Sequence, residues 1–296
     1  AISGLENMEY IALVSLGAAI FRIVATLLLL WQGMGLQAIF GVLVVTQVLI
    51  VPAYLLVIHR YLAPLHLTFD VSETMSMTRE IATFLFMGIL VIGVGTQIDI
   101  LMIRKMTTAE EAGFYTAAST LVQALFLFRP AILHSAFPNM STLYRESLPR
   151  FRRLTGTLLG LFSVALMPVP LATLLFADEL MPLLLGADFA ESGGILRILI
   201  WIVLPSFAYA TLSRVLVAGK QERRNLQIAG ICMAVNLILN LALIPRWGAA
   251  GAAISSVVAM VLAMISAYMI MHRCLFSLPL GDILGKPLLG VALAAV

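Results

Sequence analysis

Apolar residues run through this chain in stretches about as long as a bilayer is thick, and few folds can accommodate that. Eight stretches, 9–31, 36–58, 81–103, 112–137, 154–176, 193–217, 225–244 and 249–271, are almost continuously apolar, and a ninth starts near Ile283 and runs to Val296. A helix needs about 20 mostly apolar residues to cross the hydrocarbon core. Apolar residue classes make up 61% of the chain and charged ones 11%, with a mean hydropathy of +1.05. That is too little charge to clothe a soluble domain of this length. The runs are continuous rather than alternating, which selects helices over a barrel. The expectation is an all-α, polytopic transmembrane helical bundle with eight full spans and a truncated ninth. The chain opens on Ala1-Ile2-Ser3-Gly4 and stops inside an apolar run, Leu288 to Val296, so it reads as an internal fragment of a longer protein.

Charge between the spans gives an orientation. The connections 59–80, 138–153, 218–224 and 272–286 carry about eleven Lys and Arg, and the alternate ones, 32–35, 104–111, 177–192 and 245–248, about three. The positive-inside rule puts the first set in the cytoplasm. A net charge of +3 with the basic residues confined to such connections excludes nucleic acid as a partner and points to membrane lipids. The only cysteines, Cys232 and Cys274, fall toward the cytoplasmic side, where thiols stay reduced, and read as packing residues. No phosphate-cradling glycine loop, metal-ligand cluster, cofactor motif or catalytic serine–histidine–aspartate pattern is present.

The stretch 59–80 is the longest polar interval inside the chain, and it separates a hairpin, 1–58, from six further spans, 81–272, followed by 273–296. The connection 138–153, with Leu148 and Phe151 among its arginines, suits the headgroup layer.

Ionisable residues within spans are the functional candidates, because burying them in lipid is costly. Arg22 lies about 13 residues into its span, roughly 20 Å of helix, too deep to reach a surface easily. Its face carries Ser15, Ala18, Ala19, Ala25 and Thr26, which suits a protein-lined interior. A structural arginine bonding bundle carbonyls fits equally. Asp99, with Gly88, Gly95 and Thr96 on its face, reads either as an ion-coupling carboxylate or as one that reaches outer water. Thr116, Ser119, Thr120, Gln123, Pro130 and His134 fall within about 60° of one line, a polar stripe that suggests a water-filled cavity. Arg129 lies about 140° from that stripe on an ideal helix, unless Pro130 kinks it. Arg214 has a sufficient explanation in snorkelling toward Lys220, Arg223 and Arg224. Asn236 and Asn240, one turn apart, face a small-residue stripe from Ala252 through Ser255, Ser256 and Ala259 to Ser266, and read as adhesive between two spans.

Three segments carry a resemblance: 99–102 (DILM), 112–118 (AGFYTAA) with 137–141 (FPNMS), and above all 236–253, Asn236-Leu-Ile-Leu-Asn240 running into Ile244-Pro245-Arg246-Trp247-Gly248-Ala-Ala-Gly251. This pattern resembles the polysaccharide (O-antigen type) flippase family, relatives of the multidrug exporters and peptidoglycan-precursor flippases. In physical terms, Pro245 stops one helix, Gly248 makes a tight outer turn, and Gly251 opens a closely packed next helix. The resemblance implies two six-helix lobes around a central cavity. Residues 1–58 would be the last two helices of the first lobe, 59–80 the inter-lobe linker, 81–272 the second lobe, and 273–296 a loop and truncated accessory helix. It also implies a lipid-linked oligosaccharide substrate, an undecaprenyl-phosphate carrier, the bacterial-type inner membrane, alternating access, and polymerase or glycosyltransferase partners. Cavity arginines hold anionic substrates in such proteins, which nominates Arg22 and Arg129, with Gln123 and His134 beside them. The rivals are a multidrug exporter, which would favour cavity carboxylates, and a non-transporting scaffold for polysaccharide assembly.

Overall fold

The computed structural model describes residues 8–57 and 98–279, and among these every regular element is helical. The chain divides into two compact units, Ala1–Thr78 and Arg79–Val296.

The first unit is a hairpin of α1 (Met8–Trp31) and α2 (Leu36–Val57). Gly33, at φ +73°, ends α1, with Met34 N–H bonded to Leu29 O and Gly33 N–H to Leu30 O. That pair of bonds is the Schellman stop, which needs a residue free to adopt positive φ. The hydroxyls of Ser15 and Tyr54 hydrogen-bond across the two helices at 2.6 Å.

In the second unit α3 (Ile98–Met106) is the described part of the expected span 81–103, whose residues 81–97 lie outside the described residues. Then come α4 (Ala109–Phe126), N-capped by Thr108, and α5 (Phe128–Glu146). The axis turns by 50° between 109–130 and 135–146. Pro130 lacks the N–H that would continue the ladder, and this loosens the helix there. Next are α6 (Leu148–Leu166) and α7 (Pro168–Leu185), then α8 (Ser192–Leu199), a 3-10 turn at Ile200–Ile202, and α9 (Val203–Ala218). The last element, α10 (Glu222–Cys274), breaks at Gly248, where φ is +56° and ψ −137°. The chain folds back there: Asn236 bonds Ser256, and a Cβ on Gly251 would lie 2.5 Å from Leu243 O. The two limbs, 222–247 and 249–274, are therefore antiparallel, each about 39 Å long.

Among the described residues four helical stretches are long and apolar enough to cross a membrane, Val14–Trp31, Leu148–Leu185, Ser192–Ala218 and Glu222–Cys274, with a fifth if the bent pair within 109–146 counts as one span. With the reversal inside the last of these, the chain is an all-α, multi-pass membrane protein. The helices outrun the apolar stretches that announce them, so 138–146 and 177–185 are helical rather than loop. Pro245 does not stop its helix; the limb continues through it, and the reversal belongs to Gly248.

Two apolar cores hold this unit. One gathers Ile103, Ala118, Met181, Leu196, Val203, Ile244 and Ala252. The other, toward the arginine-rich end, gathers Met140, Phe151, Leu212, Leu216, Met271 and Leu278. Phe151 is fully buried, edge-on to Tyr144 and Phe276 at 5.5 Å each, instead of lying in the headgroup layer. Its neighbours Arg150, Arg152 and Arg153 stay exposed, so the first turns of α6 are amphipathic but packed inward. The chain after α10 tucks beneath this core, where Tyr268 Oη donates to Leu278 O at 2.6 Å.

Candidate functional site

A cavity of about 560 Å³ opens inside the second unit, walled by α4 and the start of α5 on one side, α9 on another, and both limbs of α10. Most of its lining is apolar, and the polar groups gather in two places.

The first is built on Asp99 of α3. Asp99 is only 8% exposed. Its Oδ2 accepts from Tyr115 Oη at 2.8 Å and from Ser256 Oγ at 2.5 Å, and its Oδ1 accepts from Asn240 Nδ2 at 2.6 Å. Asn240 Nδ2 also donates to Asn236 Oδ1 at 3.2 Å. The reversal at Gly248 brings the asparagines of the first limb against Ser256 of the second, and the i, i+4 spacing puts both asparagines on one face. Asn240 is 0% exposed, and its Oδ1 has no hydrogen-bond partner among the described residues. Buried polar atoms are nearly always paired, so an orphaned acceptor beside a carboxylate marks a place able to receive a donor or a cation. Asp99 makes no ion pair among the described residues.

The second is Arg129. Its Nη1 donates to Ser206 Oγ on α9 at 2.5 Å, and its guanidinium lies over the Phe126 ring, 4.8 Å from the centroid. Gln123 on α4 and Tyr209 on α9 line the same cavity. An ideal helix would point Arg129 away from Gln123, and the break in the α4–α5 rod turns it in. Of the sequence-derived polar stripe, Ser119, Gln123 and Pro130 reach the cavity. Thr116 and Thr120 do not, and their hydroxyls are spent on the carbonyls of Ala112 and Thr116. The His134 side chain, like Gly88, Gly95 and Thr96, lies outside the described residues.

Arg22 belongs to the first unit, where it is exposed on α1. Arg214 is half-buried, with its guanidinium over the Phe137 ring at 5.6 Å. Cys232 is buried in the cavity wall, and Cys274 is an exposed free thiol beside Arg224. Among the described residues no three His, Cys, Asp or Glu side chains gather as metal ligands.

Sequence reasoning missed Tyr115, Ser206 and Tyr209. A tyrosine and a serine in apolar runs carry no spacing signal, although intramembrane hydroxyls generally seek partners. It also missed Glu111. The sequence Thr108-Ala-Glu-Glu111 is a capping-box pattern. Thr108 Oγ accepts from Glu111 N–H at 3.1 Å as that pattern requires, but the Glu111 carboxylate reaches across to accept from Ala249 N–H at 2.9 Å. One acid thereby caps the start of another helix at the hairpin turn.

Comparison with known proteins gives a consistent set of likenesses. Residues 6–193 match the family described as "Polysaccharide biosynthesis protein". The chain is 27% identical over 204 residues to the probable flippase AglR of Haloferax volcanii, covering 67% of this chain and 42% of that protein. It is 24% identical over 159 residues to the probable low-salt glycan biosynthesis flippase Agl15 of the same organism, covering 53% of this chain and 34% of that one. The matched stretches thus span less than half the length of either relative.

Proposed function

Because the chain belongs to the polysaccharide biosynthesis protein family, in which its named relatives are flippases, we propose that it forms part of a transporter, not an enzyme, that flips a lipid-linked glycan across a membrane. The observation that carries this reading is the half-buried guanidinium of Arg129 in a largely apolar, membrane-embedded cavity. A cation held by Ser206 and Phe126 there, with no carboxylate paired to it among the described residues, suits an anionic guest. Phosphate oxygens match the planar fork of arginine, and in low dielectric such bonds are strong. Gln123 and Tyr209, on two walls of the cavity, offer hydrogen bonds to a sugar. Arg22 and His134 remain substrate-binding candidates of the same kind. Asp99 is the ion-coupling group: the orphaned Asn240 Oδ1 beside it supports occupancy by the coupling ion. The finer reading has the substrate on undecaprenyl phosphate, the protein in the cytoplasmic membrane of a bacterial-type cell, alternating access between two six-helix lobes, and polymerase or glycosyltransferase partners nearby.

Against a multidrug exporter stands the Arg129 guanidinium, which no carboxylate pairs among the described residues and which would repel a cationic drug. Against a scaffold stands a cavity furnished with that guanidinium, which scaffolding does not require. The test is surface or vesicle glycan transport per folded molecule in Arg129→Ala and Arg129→Lys. Arg129→Ala loses transport at near-normal abundance, and Arg129→Lys keeps part of it, since charge survives but the fork does not. Wild-type transport per molecule in Arg129→Ala refutes the reading.

A further inference from the structure

Arg214 repeats the arrangement of Arg129 one station along the same cleft. Each guanidinium is stacked on a phenylalanine of the α4–α5 rod, Arg129 on Phe126 and Arg214 on Phe137. Phe137 lies seven residues beyond the cavity-lining Pro130, past the bend in the rod. On α9 the cavity row Ile202, Ser206, Tyr209 continues through Ser213, next to Arg214. On the first limb of α10 the row Asn236, Cys232, Ala229 continues back to Asn225, whose Nδ2 donates to Ser213 Oγ at 2.8 Å. The three walls therefore run on, past the cavity, toward the end that carries Arg150 and Arg223. Where they do, Arg214 is half-buried and makes no hydrogen bond or ion pair among the described residues, so its donors are unspent. Position 214 is eight residues, about 12 Å of helix, from the serine that holds Arg129.

We propose that Arg214 is a second anion station, at the arginine-rich mouth of the cleft, which takes the phosphate group of the lipid-linked glycan before Arg129 takes it deeper. This rests on the glycan-flippase reading above. The Phe137 face strips water from one side of the guanidinium and fixes its plane, leaving the edge for bidentate bonds to phosphate oxygens. A charge at the mouth acts on capture, whereas a buried one acts on the bound state.

The test uses the full natural protein in vesicles of phosphatidylcholine. It follows the initial flipping rate of a fluorescent polyprenyl diphosphate carrying one N-acetylglucosamine, against its mole fraction. Arg214→Gln raises the half-saturating mole fraction about tenfold, with the maximal rate within about twofold of wild type. Arg129→Gln chiefly lowers the maximal rate. Arg214→Lys recovers most of the affinity, and Phe137→Leu, which leaves the charge but frees it, weakens half-saturation by about threefold. These two variants keep the test sharp if Arg214→Gln folds poorly. Wild-type half-saturation in Arg214→Gln beside an impaired Arg129→Gln overturns the second station and leaves the flippase reading standing, while wild-type kinetics in both sinks the reading itself. Vesicles of phosphatidylcholine and phosphatidylglycerol in equal parts separate the two sources of phosphate. If phosphatidylglycerol abolishes the difference between wild type and Arg214→Gln, the side chain is a headgroup anchor and the proposal falls.

Discussion

Replacing Gly248 by alanine tests the turn that assembles the Asp99 network. Gly248 sits at φ +56°, ψ −137°, a region that residues with a Cβ reach only under strain of about 1–3 kcal/mol. An added Cβ would also lie 2.2 Å from Glu111 Oε2 and 2.8 Å from its Cδ. The carboxylate is the far end of a flexible side chain, so it swings away instead of blocking the fold. In doing so it gives up the bond to Ala249 N–H. A hydrogen bond to a charged acceptor contributes about 1.5–3 kcal/mol, and the freed N–H at a helix start recovers part of that from water. Gly248→Ala should therefore cost about 2–5 kcal/mol, and Glu111→Ala alone about 1–2 kcal/mol.

The discriminating quantity is the coupling. In Gly248→Ala the Glu111 bond is already lost and the carboxylate crowded, so removing that side chain adds little. The double variant should be no less stable than Gly248→Ala, and its loss smaller than the sum of the two single losses by about 1–2 kcal/mol. The assay is denaturant or thermal unfolding of the purified protein in one detergent, for wild type, both single variants and the double. Strict additivity would mean that Glu111 and Gly248 do not share an interaction, and would refute the idea that the Glu111 carboxylate braces the hairpin turn.

Two further outcomes are expected. Asp99→Asn keeps an acceptor for Tyr115 and Ser256 but turns an N–H toward Asn240, whose amide must flip to accept it, so it loses transport and lowers folded yield less than Asp99→Ala, which strands Tyr115, Asn240 and Ser256 at about 1–3 kcal/mol for each group left unpaired; full transport by Asp99→Asn, scored per folded molecule, would remove Asp99 from coupling. Cysteines placed at Arg150 and Arg223 should resist a membrane-impermeant thiol reagent added outside intact cells while one at Ala187 reacts, and the reverse labelling would invert the orientation.

Existence of the helices was legible because burying backbone in lipid leaves few alternatives: 9–31 and 36–58 emerge as Met8–Trp31 and Leu36–Val57. Their ends were less so. Arg145 and Arg150 end an apolar run, but they do not end helical hydrogen bonding, and α5 and α6 extend through them. Phe151 shows the same gap from the packing side. Its flanking arginines say interface, and only the tertiary fold, which lays Tyr144 and Phe276 against it, says core.

The site divides along the same line, between what a chain encodes locally and what folding brings together. Depth along a span is local, and it singled out Asp99 and Arg129. Partners are not local. Yet part of the Asp99 network follows from one glycine: a hairpin that reverses at Gly248 sets a residue before the turn beside one about equally far after it, which places Asn236 near Ser256 to within about one turn. Asn240 then follows by i, i+4 spacing. Tyr115 and Ser206 do not, because each arrives from a helix whose packing angle no spacing rule fixes. Arg129 marks the sharper limit. An ideal rod directs it away from the polar stripe, and that direction is wrong because the helix is interrupted at Leu127, between α4 and α5, where Leu127 N–H bonds Ala124 O. The proline that loosens the rod was visible in the sequence, and the way the helix breaks around it was not, since Phe126 at the break packs on Phe207 of α9, a partner that no spacing rule fixes. A polar residue within one turn of an intramembrane proline therefore has no face that the sequence alone can assign.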